Sequence, residues 1–347
     1  MQKEVVNINL QESYRFLDSW QQKDKPILVM GDVGLDQYTE GEVNRISPEA
    51  PVGVLEVKRQ WNKLGLAANV SDNLAALEIP SLLISVVGAD RNAQELIGLV
   101  RERKFITDKL FVAKHKQTIK KERILTPIQQ ICRIDYEDKL ALGKDIEDEI
   151  LSYVSQNIKN YSACVLEDYG KGLFSKNILQ EMIQLFCEHQ KPIVVDPSRK
   201  TRASFYKKVP FLKPNWQEAQ ILLESLIQDG LFQTKKQVDD FSVEEVMIAL
   251  IENLELEKIV ITLGAKGMAL YDKNEKNAKI SYIETNAKEV FDVSGAGDTT
   301  VSILIAALAK GASLKEAAVL ANIGAGVVVE KRGTATCNRD ELKNFLI

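Results

Sequence analysis

The sequence predicts an α/β protein in which helices cover both faces of a mostly parallel sheet and a small second sheet forms a lid. Short apolar runs that end in glycine or polar residues alternate with helical patterns along most of the chain. This alternation is typical of three layers built around a parallel sheet. Two stretches instead alternate apolar and polar residues with a period of two, which predicts the second sheet.

The first strand of the main sheet is predicted at residues 25–32, where the apolar run KPILVMGD closes on glycine and aspartate. A helix is predicted at residues 65–78, because Val70 and Leu74 fall on one face with other apolar side chains. Further strands are predicted in SLLISVVG, ACVLEDYG, PIVVDPS, PFLKPN and KIVITLG, and further helices in AQELIGLVRERK and NILQEMIQLFCEHQ. Such sheets bind ligands at the carboxyl ends of their strands, where EDYGKG, DPSRK and KPN stand.

The lid strands are predicted at about residues 42–60 and 111–137, which interrupt the alternation of strands and helices. Residues 1–24 are expected to form a peripheral extension with one short helix. No repeat or low-complexity linker divides the remainder, so residues 25–347 are expected to form one domain.

Composition excludes several classes of protein. The 347-residue chain has a formal net charge of −4, which gives no general affinity for nucleic acid or anionic membranes. The chain start is polar where a signal peptide is apolar, and no uncharged stretch reaches the about 20 residues of a membrane span. We therefore expect a cytoplasmic protein. Four cysteines without metal-type spacing and two histidines leave carboxylates, lysines and backbone amides for catalysis.

The segment DVSGAGDTT predicts the head of a helix that begins near Ala296, after a strand at residues 290–293. Gly295 and Gly297 allow backbone N–H groups to converge on one point, and a helix N-terminus favours an anion there. Asp298, in the first turn, can accept a proton from a hydroxyl that attacks a phosphoryl group. The alternative is a glycine-rich turn in which the aspartate only favours the helix dipole.

Over about residues 25–347 the sequence resembles the ribokinase-like (PfkB) carbohydrate kinases, whose signature D-x-x-G-A-G-D is matched by DVSGAGD. The resemblance implies a ribokinase-like fold with Asp298 as the catalytic base and the preceding amides as an anion hole. The residues that provide those amides are Gly295, Ala296 and Gly297. The implied cofactors are ATP and Mg²⁺, and the family also admits a monovalent cation.

The same resemblance assigns residues on the nucleotide side. The family's N-x-x-E motif is matched by Asn215 and Glu218, which are implied to organise magnesium and phosphate. Asn322, in ANIGAG, is the implied neighbour of the adenine base. A nucleotide-side turn is implied in TLGAKG by Thr262, Gly264 and Gly267. No Walker motif G-x4-G-K-[ST] occurs, so the chain is not a P-loop kinase.

The N-terminal half is similar to the heptose-7-phosphate kinases of lipopolysaccharide-core synthesis. That group shows G-D-x-x-L-D-x-Y followed by R-I-S-P-E-A-P-V, and residues 45–52 match the second run without a mismatch. The alternative is a proline-punctuated lid strand that was inherited without the substrate preference. The resemblance implies D-glycero-D-manno-heptose 7-phosphate as the substrate and makes Arg45 a candidate substrate-binding residue.

Asp32 and Asp36 follow a strand end and suit sugar hydroxyls, although a turn or capping role is an equal alternative for each. Asn69 matches an asparagine that contacts the sugar in the family, and its alternative is a helix cap. A sugar that already carries a phosphate needs cations nearby. The basic candidates are Lys120, Lys121, Arg123, Arg133, Lys171, Arg199 and Lys200, which the sequence does not rank.

One departure from the family concerns Leu66, which stands where G-G-A-A-N has its second glycine. A leucine there could narrow the sugar pocket, so a kinase for another sugar or sugar phosphate remains an alternative. A catalytically silent sugar-binding or regulatory protein is a second alternative. No H-x-G-H adenylyltransferase motif occurs, and we expect the kinase activity alone. The expected partners are the sugar phosphate and ATP, with a homodimer formed through the lid.

Overall fold

The computed structural model describes residues 4–5, 9–276, 278–285, 292–331 and 333–345. Its strands, in chain order, are β1 (Glu4–Val5), β2 (Ile27–Gly31), β3 (Val33–Ile46), β4 (Gly53–Leu66), β5 (Ser81–Val87), β6 (Ile106–Val112), β7 (Ile119–Leu125), β8 (Gln130–Tyr136), β9 (Ala163–Glu167), β10 (Ile193–Asp196), β11 (Phe211–Leu212), β12 (Lys258–Thr262), β13 (Met268–Asp272) and β14 (Ser281–Ile283). Its helices are α1 (Leu10–Asp18), α2 (Ala67–Ala76), α3 (Arg91–Arg101), α4 (Lys144–Asn157), α5 (Lys176–Glu188), α6 (Trp216–Gln228), α7 (Val243–Leu254), α8 (Ala296–Ala309), α9 (Leu314–Val329) and α10 (Arg339–Asn344).

The larger sheet has the strand order β1-β14-β13-β12-β11-β10-β9-β2-β5-β6. Every neighbouring pair from β12 to β6 is parallel, whereas β13 runs antiparallel to both β12 and β14. Side chains of one strand alternate between the two faces: Val29 lies in one hydrophobic core and Met30 in the other. The helices α1, α2, α3, α8 and α9 cover the first face, and α4 to α7 cover the second. The predicted mostly parallel three-layer fold is confirmed.

The second sheet has the order β4-β3-β7-β8 and is called the lid sheet below. The beginning of β3 packs into the main core, where the alternating side chains of Val33 and Leu35 are buried. Beyond Glu40, β3 no longer pairs with β7 and continues with β4 alone as a two-stranded ribbon.

The lid strands differ in extent from those predicted. The predicted segment 42–60 covers only the turn end of the β3–β4 hairpin. The hairpin is longer because β3 already begins at Val33 and β4 continues to Leu66. In the predicted segment 111–137, Phe111 and Val112 still belong to β6 of the main sheet, where they pair with β5.

The described part of the N-terminal segment is more than a peripheral extension. Tyr14, Leu17 and Trp20 are buried in the core beside α8 and α9. The indole Nε1–H of Trp20 donates to the carbonyl of Ala306 at 3.1 Å. The helix predicted at residues 65–78 is α2, and α8 begins at Ala296 as expected. The strand expected at 290–293 lies partly outside the described residues, and its last two residues are not in a strand.

Candidate active site

The head of α8 is the centre of the site. Gly295 precedes the helix with φ +85°, a left-handed conformation that favours glycine. Asp292 fixes the approach to the helix: its carboxylate accepts the N–H groups of Ser294 at 2.9 Å and Gly333 at 3.0 Å. Burial opposes ionisation of Asp292, but these hydrogen bonds hold its pKa below the usual range. Beyond Asp298 the helix is buried and mainly apolar, so it is held in the core.

The backbone amides at this helix head are not equivalent. The Ala296 N–H donates to the carbonyl of Val293 at 3.3 Å. Among the described residues, no acceptor is found for the N–H groups of Gly297 and Asp298. The N–H groups of Gly297 and Asp298 are therefore free to donate to an anion at the predicted anion hole. The N–H of Ala296 is already hydrogen-bonded and is not a free donor.

Both carboxylate oxygens of Asp298 accept a side-chain hydrogen bond. Asn69, on α2, donates its amide to Oδ2 at 2.5 Å, and the Tyr169 hydroxyl donates to Oδ1 at 3.0 Å. Desolvation raises the pKa of Asp298, whereas these two donors and the charge of Lys213 lower it. The site thus holds a desolvated carboxylate in one orientation, with lone pairs left for another hydroxyl.

A polar cavity of about 870 Å³ opens in front of Asp298, at the carboxyl ends of β9 to β12. At its floor Lys213 is 2% exposed, and its ammonium lies 2.6 Å from Asp196. Burial opposes the charge of Lys213, but Asp196 and Glu167 raise its pKa. Burial raises the pKa of Asp196 to about 7 despite Lys213, and burial raises that of Glu167 well above its usual range.

Asn215 and Glu218 form the cap of α6 on the same cavity wall. The Asn215 Oδ1 accepts the Glu218 N–H at 2.9 Å, and the Glu218 Oε2 accepts the Asn215 N–H at 2.9 Å. The other Glu218 oxygen is 3.5 Å from Nε of Arg199. No described cluster of three or more His, Cys, Asp or Glu side chains can hold a metal alone. A Mg²⁺ here would fit one or two carboxylates together with phosphate oxygens and water, as this ion prefers.

A smaller cavity of about 250 Å³, called the apolar cavity, adjoins the polar cavity. Thr262, Gly264 and Gly297 line both cavities, which form one continuous groove. The groove's apolar end lies between the β12–β13 turn and α9. Gly267 also lines this end at φ +85°, and a Cβ there would meet the Ile283 carbonyl oxygen.

Asn322 also lines the apolar cavity, with its side-chain amide donating to the carbonyl of Glu284 at 2.8 Å. The structure therefore brings together every residue assigned to the nucleotide side from the sequence.

Strand alternation separates the basic candidates on the lid sheet. Lys121 is the register partner of Asp36, and Arg123 is the partner of Tyr38, so these cations share the face turned toward the site. Lys120 lies on the opposite face, 3.4 Å from the Gln37 side chain. Only Lys121 among these lid cations lines the polar cavity with Asp298.

Lys121 is partly buried and forms no ion pair with a described residue. Burial, and after it the charge of Lys171, lower the pKa of Lys121, although Asp36 opposes this. Lys171 lines the same cavity and is paired with Glu137. Lys200 lies exposed at the rim, where burial and then Lys171 lower its pKa. Three lysines thus converge on one side of the cavity.

Two predicted sugar ligands already have partners within the protein. The Asp32 carboxylate accepts the backbone N–H groups of Lys171 at 3.1 Å and Leu173 at 3.3 Å, so it supports this loop. Asp36 is paired with Arg123 at 2.8 Å and faces the site from the lid. Burial and the nearby charge of Asp168 raise the pKa of Asp32 to about 6.

Arg45 lies far along the lid ribbon, whereas Arg133 is the register partner of Arg123 within the lid sheet. Arg45 is nine residues beyond Asp36 on β3, which corresponds to about 30 Å of extended strand. Its side chain is 61% exposed and is 3.9 Å from Glu56 on the ribbon. Arg133 is exposed on the edge strand β8, where it pairs with Asp135 at 2.8 Å.

Leu66 adopts φ 58° and ψ −138° immediately before α2, a backbone region that favours glycine. Its side chain is 7% exposed. The leucine therefore holds, at a cost in strain, a backbone conformation that glycine adopts freely.

The site contains residues to which sequence reasoning gave no role, namely Glu167, Tyr169, Asp196 and Lys213. All four stand in the polar strand endings EDYGKG, DPSRK and KPN, which had marked this edge of the sheet. Their contacts join positions far apart in the chain, so the local sequence carried no signal for the roles of the individual residues.

Comparisons with known proteins point to one family. The family model for pfkB family carbohydrate kinase matches residues 33–341. The bifunctional protein HldE of Wolinella succinogenes is 37% identical over 320 residues, covering 92% of this chain and 64% of the relative. The HldE protein of Pasteurella multocida is 38% identical over 331 residues, covering 93% and 64%. The chain thus spans less than two thirds of the length of these relatives.

Solved structures share the fold at low identity. Arabidopsis thaliana ribokinase complexed with ribose and ATP matches with a TM-score of 0.66 and 19% identity, covering 93% of this chain and 99% of that one. Escherichia coli phosphofructokinase-2 in complex with potassium matches with a TM-score of 0.72 and 18% identity, covering 92% and 98%. No helix within the described ranges is long and apolar enough to cross a membrane.

Proposed function

The chain belongs to the pfkB family of carbohydrate kinases, and on that basis we propose that it phosphorylates the anomeric hydroxyl of D-glycero-D-manno-heptose 7-phosphate with ATP. The product would be the 1,7-bisphosphate. The observation that carries the proposal is a desolvated carboxylate, Asp298, beside two open amides and a group of lysines in one cavity. The matched run at residues 45–52 and the HldE relatives support heptose as the sugar.

In the proposed mechanism Asp298 accepts the proton of the anomeric hydroxyl while the hydroxyl oxygen attacks the γ-phosphorus. The bond from that phosphorus to the ADP oxygen breaks, and ADP leaves. The N–H groups of Gly297 and Asp298 donate to the negative oxygens of the transferred group, which the helix dipole also favours. Lys213, held by Asp196, supplies a fixed positive charge at the cavity floor.

We assign the nucleotide to the continuous groove. The apolar cavity has room for an adenine ring between Gly264, Gly267 and Asn322, and the groove leads from there to Asp298. When bound, Mg²⁺ neutralises phosphate charge and fixes the γ-phosphoryl group for in-line attack. Glu218 and Asn215 would act on the metal side, where Glu218 keeps one oxygen outside its cap contact.

We assign the phosphate already present on the sugar to Lys121, Lys171 and Lys200. A partly buried cation without an ion pair costs free energy, and like charges drawn together add to that cost. An anion that enters the cavity removes both costs at once. Arg45 is excluded from this role within one chain by its distance along β3, and Arg133 does not line the polar cavity.

We also propose a homodimer formed through the lid sheet. Its ribbon and edge strand expose Val43, Ile46, Val57, Ile131 and Ile134, and β3 leaves a strand edge open beyond Glu40. A Val43→Lys, Ile46→Lys double variant should halve the mass measured by light scattering. Val112→Lys, on the far edge of the main sheet, is the control and should leave the mass unchanged. A monomeric wild-type protein would contradict the proposal.

A kinase for another sugar or sugar phosphate is the second candidate, and Leu66 is the observation that favours it. The side chain at a position where the family has glycine could reshape the sugar pocket. A silent binding protein is disfavoured, because binding alone requires neither a base nor open amides.

The test is an ADP-release assay with heptose 7-phosphate, ribose, fructose and fructose 6-phosphate at equal concentrations. Heptose 7-phosphate should give the highest kcat/KM, and phosphorus NMR should detect a new anomeric phosphate. A preference for fructose 6-phosphate would keep the kinase and overturn the heptose assignment. ADP release with none of the sugars, by a folded protein that binds ATP, would favour the silent binder.

A further inference from the structure

We infer that Tyr169 is a positioning residue of the reaction: its hydroxyl orients the Asp298 carboxylate toward the acceptor and keeps it free of a proton. This inference rests on the proposed role of Asp298 as the base. No motif of the sequence assigned a role to Tyr169, which stands between the buried Asp168 and Gly170 at the end of β9.

The two donors to Asp298 come from different parts of the chain, and each binds one oxygen of the carboxylate. Asn69 reaches Oδ2 from α2, and Tyr169 reaches Oδ1 from the loop after β9. A carboxylate bound at one oxygen can still rotate about its terminal bond, whereas bonds at both oxygens fix its plane. Tyr169 therefore determines which lone pairs of Asp298 point into the cavity.

The loop that carries Tyr169 is itself firmly held. Asp168 accepts hydrogen bonds from the Tyr206 hydroxyl at 2.6 Å, the Thr201 hydroxyl at 2.7 Å and the Gly170 N–H at 2.7 Å. Asp32 holds the residues that follow through two more backbone N–H groups. Because this loop is already ordered, the Tyr169 phenol can position a neighbouring side chain without a further loss of its own conformational entropy.

The direction of the hydrogen bond is also defined. Burial, and then the charges of Asp298 and Glu167, raise the pKa of Tyr169 well above its usual range, so the phenol keeps its proton and donates. The other groups that face Asp298 are Lys213 from the end of β11, Asp36 from the lid, Asp196 from β10 and Glu167 from β9. Of these only Lys213 favours the ionised base, so a neutral donor matters here.

The test is the pH profile of kcat/KM for Tyr169→Phe, measured with heptose 7-phosphate and saturating ATP. Loss of the donor raises the pKa of Asp298, so the base stays protonated to a higher pH. The acidic limb should therefore move up by about one to two pH units, the shift that corresponds to one charge-assisted hydrogen bond. Substrate phosphates also titrate near pH 6, but they do so equally with both enzymes.

Tyr206→Phe is the matched control, because it removes a hydroxyl that donates to Asp168, on the loop of Tyr169, and does not contact the base. It should lower the melting temperature and leave the acidic limb in place. An unchanged limb in Tyr169→Phe, or the same shift in both variants, would overturn the inference. If Tyr169→Phe fails to fold, difluorotyrosine incorporated at position 169 keeps the shape and strengthens the donor. It should then move the limb down, and an unmoved limb counts against the inference.

Asp298→Asn distinguishes this failure from that of the proposed function. If Asp298→Asn retains normal turnover, the base assignment is wrong. If Asp298→Asn is inactive and the limb of Tyr169→Phe does not move, only the role of Tyr169 is wrong.

Discussion

The apolar cavity and the polar cavity form one groove, yet they are built differently. The apolar cavity measures about 250 Å³ and is lined mainly by small side chains and backbone of the β12–β13 turn and α9. The polar cavity measures about 870 Å³ and collects charged side chains from the lid sheet, from the ends of β9, β10 and β11 and from the head of α8. We therefore expect one end to select its ligand by shape and the other by charge, so that substitutions affect the two ends separately.

The largest effect is expected where the two cavities meet. Asp298→Asn keeps the size of the side chain but removes the base, and kcat should fall by roughly 10²–10⁴-fold. KM for ATP should change little, because the open amides and the apolar cavity remain. If Asp298 only favoured the helix dipole, it would contribute about 0.3–1 kcal/mol to the free energy of unfolding, and its replacement would leave kcat unchanged. Measuring kcat, KM and melting temperature on one preparation separates these outcomes.

Lys121→Met tests the polar cavity alone. Removal of one charge-assisted hydrogen bond to an anion costs about 1.5–3 kcal/mol, so kcat/KM for heptose 7-phosphate should fall about tenfold or more. KM for ATP should stay the same. Lys120→Met is the matched control, since the neighbouring lysine lies on the opposite face of β7. Equal losses in the two variants would mean that overall lid charge, not the cavity, determines binding.

Ala325→Leu tests the apolar cavity alone. Ala325 lines that cavity and does not line the polar one. Added methyl groups in a close-packed site cost about 1–3 kcal/mol, so KM for ATP should rise about tenfold. Steady-state kinetics should give an unchanged KM for the sugar phosphate. A raised sugar KM with a normal ATP KM would contradict the assignment of the two ends.

The smallest effect is expected for Leu66→Gly. Glycine removes backbone strain of about 1–3 kcal/mol but also deletes a buried side chain worth a similar amount. Turnover with heptose 7-phosphate should be preserved or improved, since the change restores the family's backbone clearance. Loss of sugar binding in a folded variant, measured by calorimetry, would make Leu66 a specific contact and require a different sugar.

The two cavities also differ in how far the sequence predicted them. The spacing of Gly295, Gly297 and Asp298 predicted an anion site at the helix head with a simple glycine-rich turn as the alternative, and the residues of the apolar cavity were assigned from the family resemblance. The polar cavity depends on contacts such as that of Asp32 with Lys171, which are 139 positions apart. Period-two alternation separates Lys121 from Lys120, but only the strand register tells which one faces the site.

The most direct test of the account compares the phosphorylated and unphosphorylated heptose as acceptors for the wild-type enzyme. If the lysines of the polar cavity bind the acceptor's own phosphate, two charge-assisted hydrogen bonds of about 1.5–3 kcal/mol each are lost with it. The account predicts a kcat/KM at least about a hundredfold higher for heptose 7-phosphate. Equal kcat/KM values for the two sugars would contradict it.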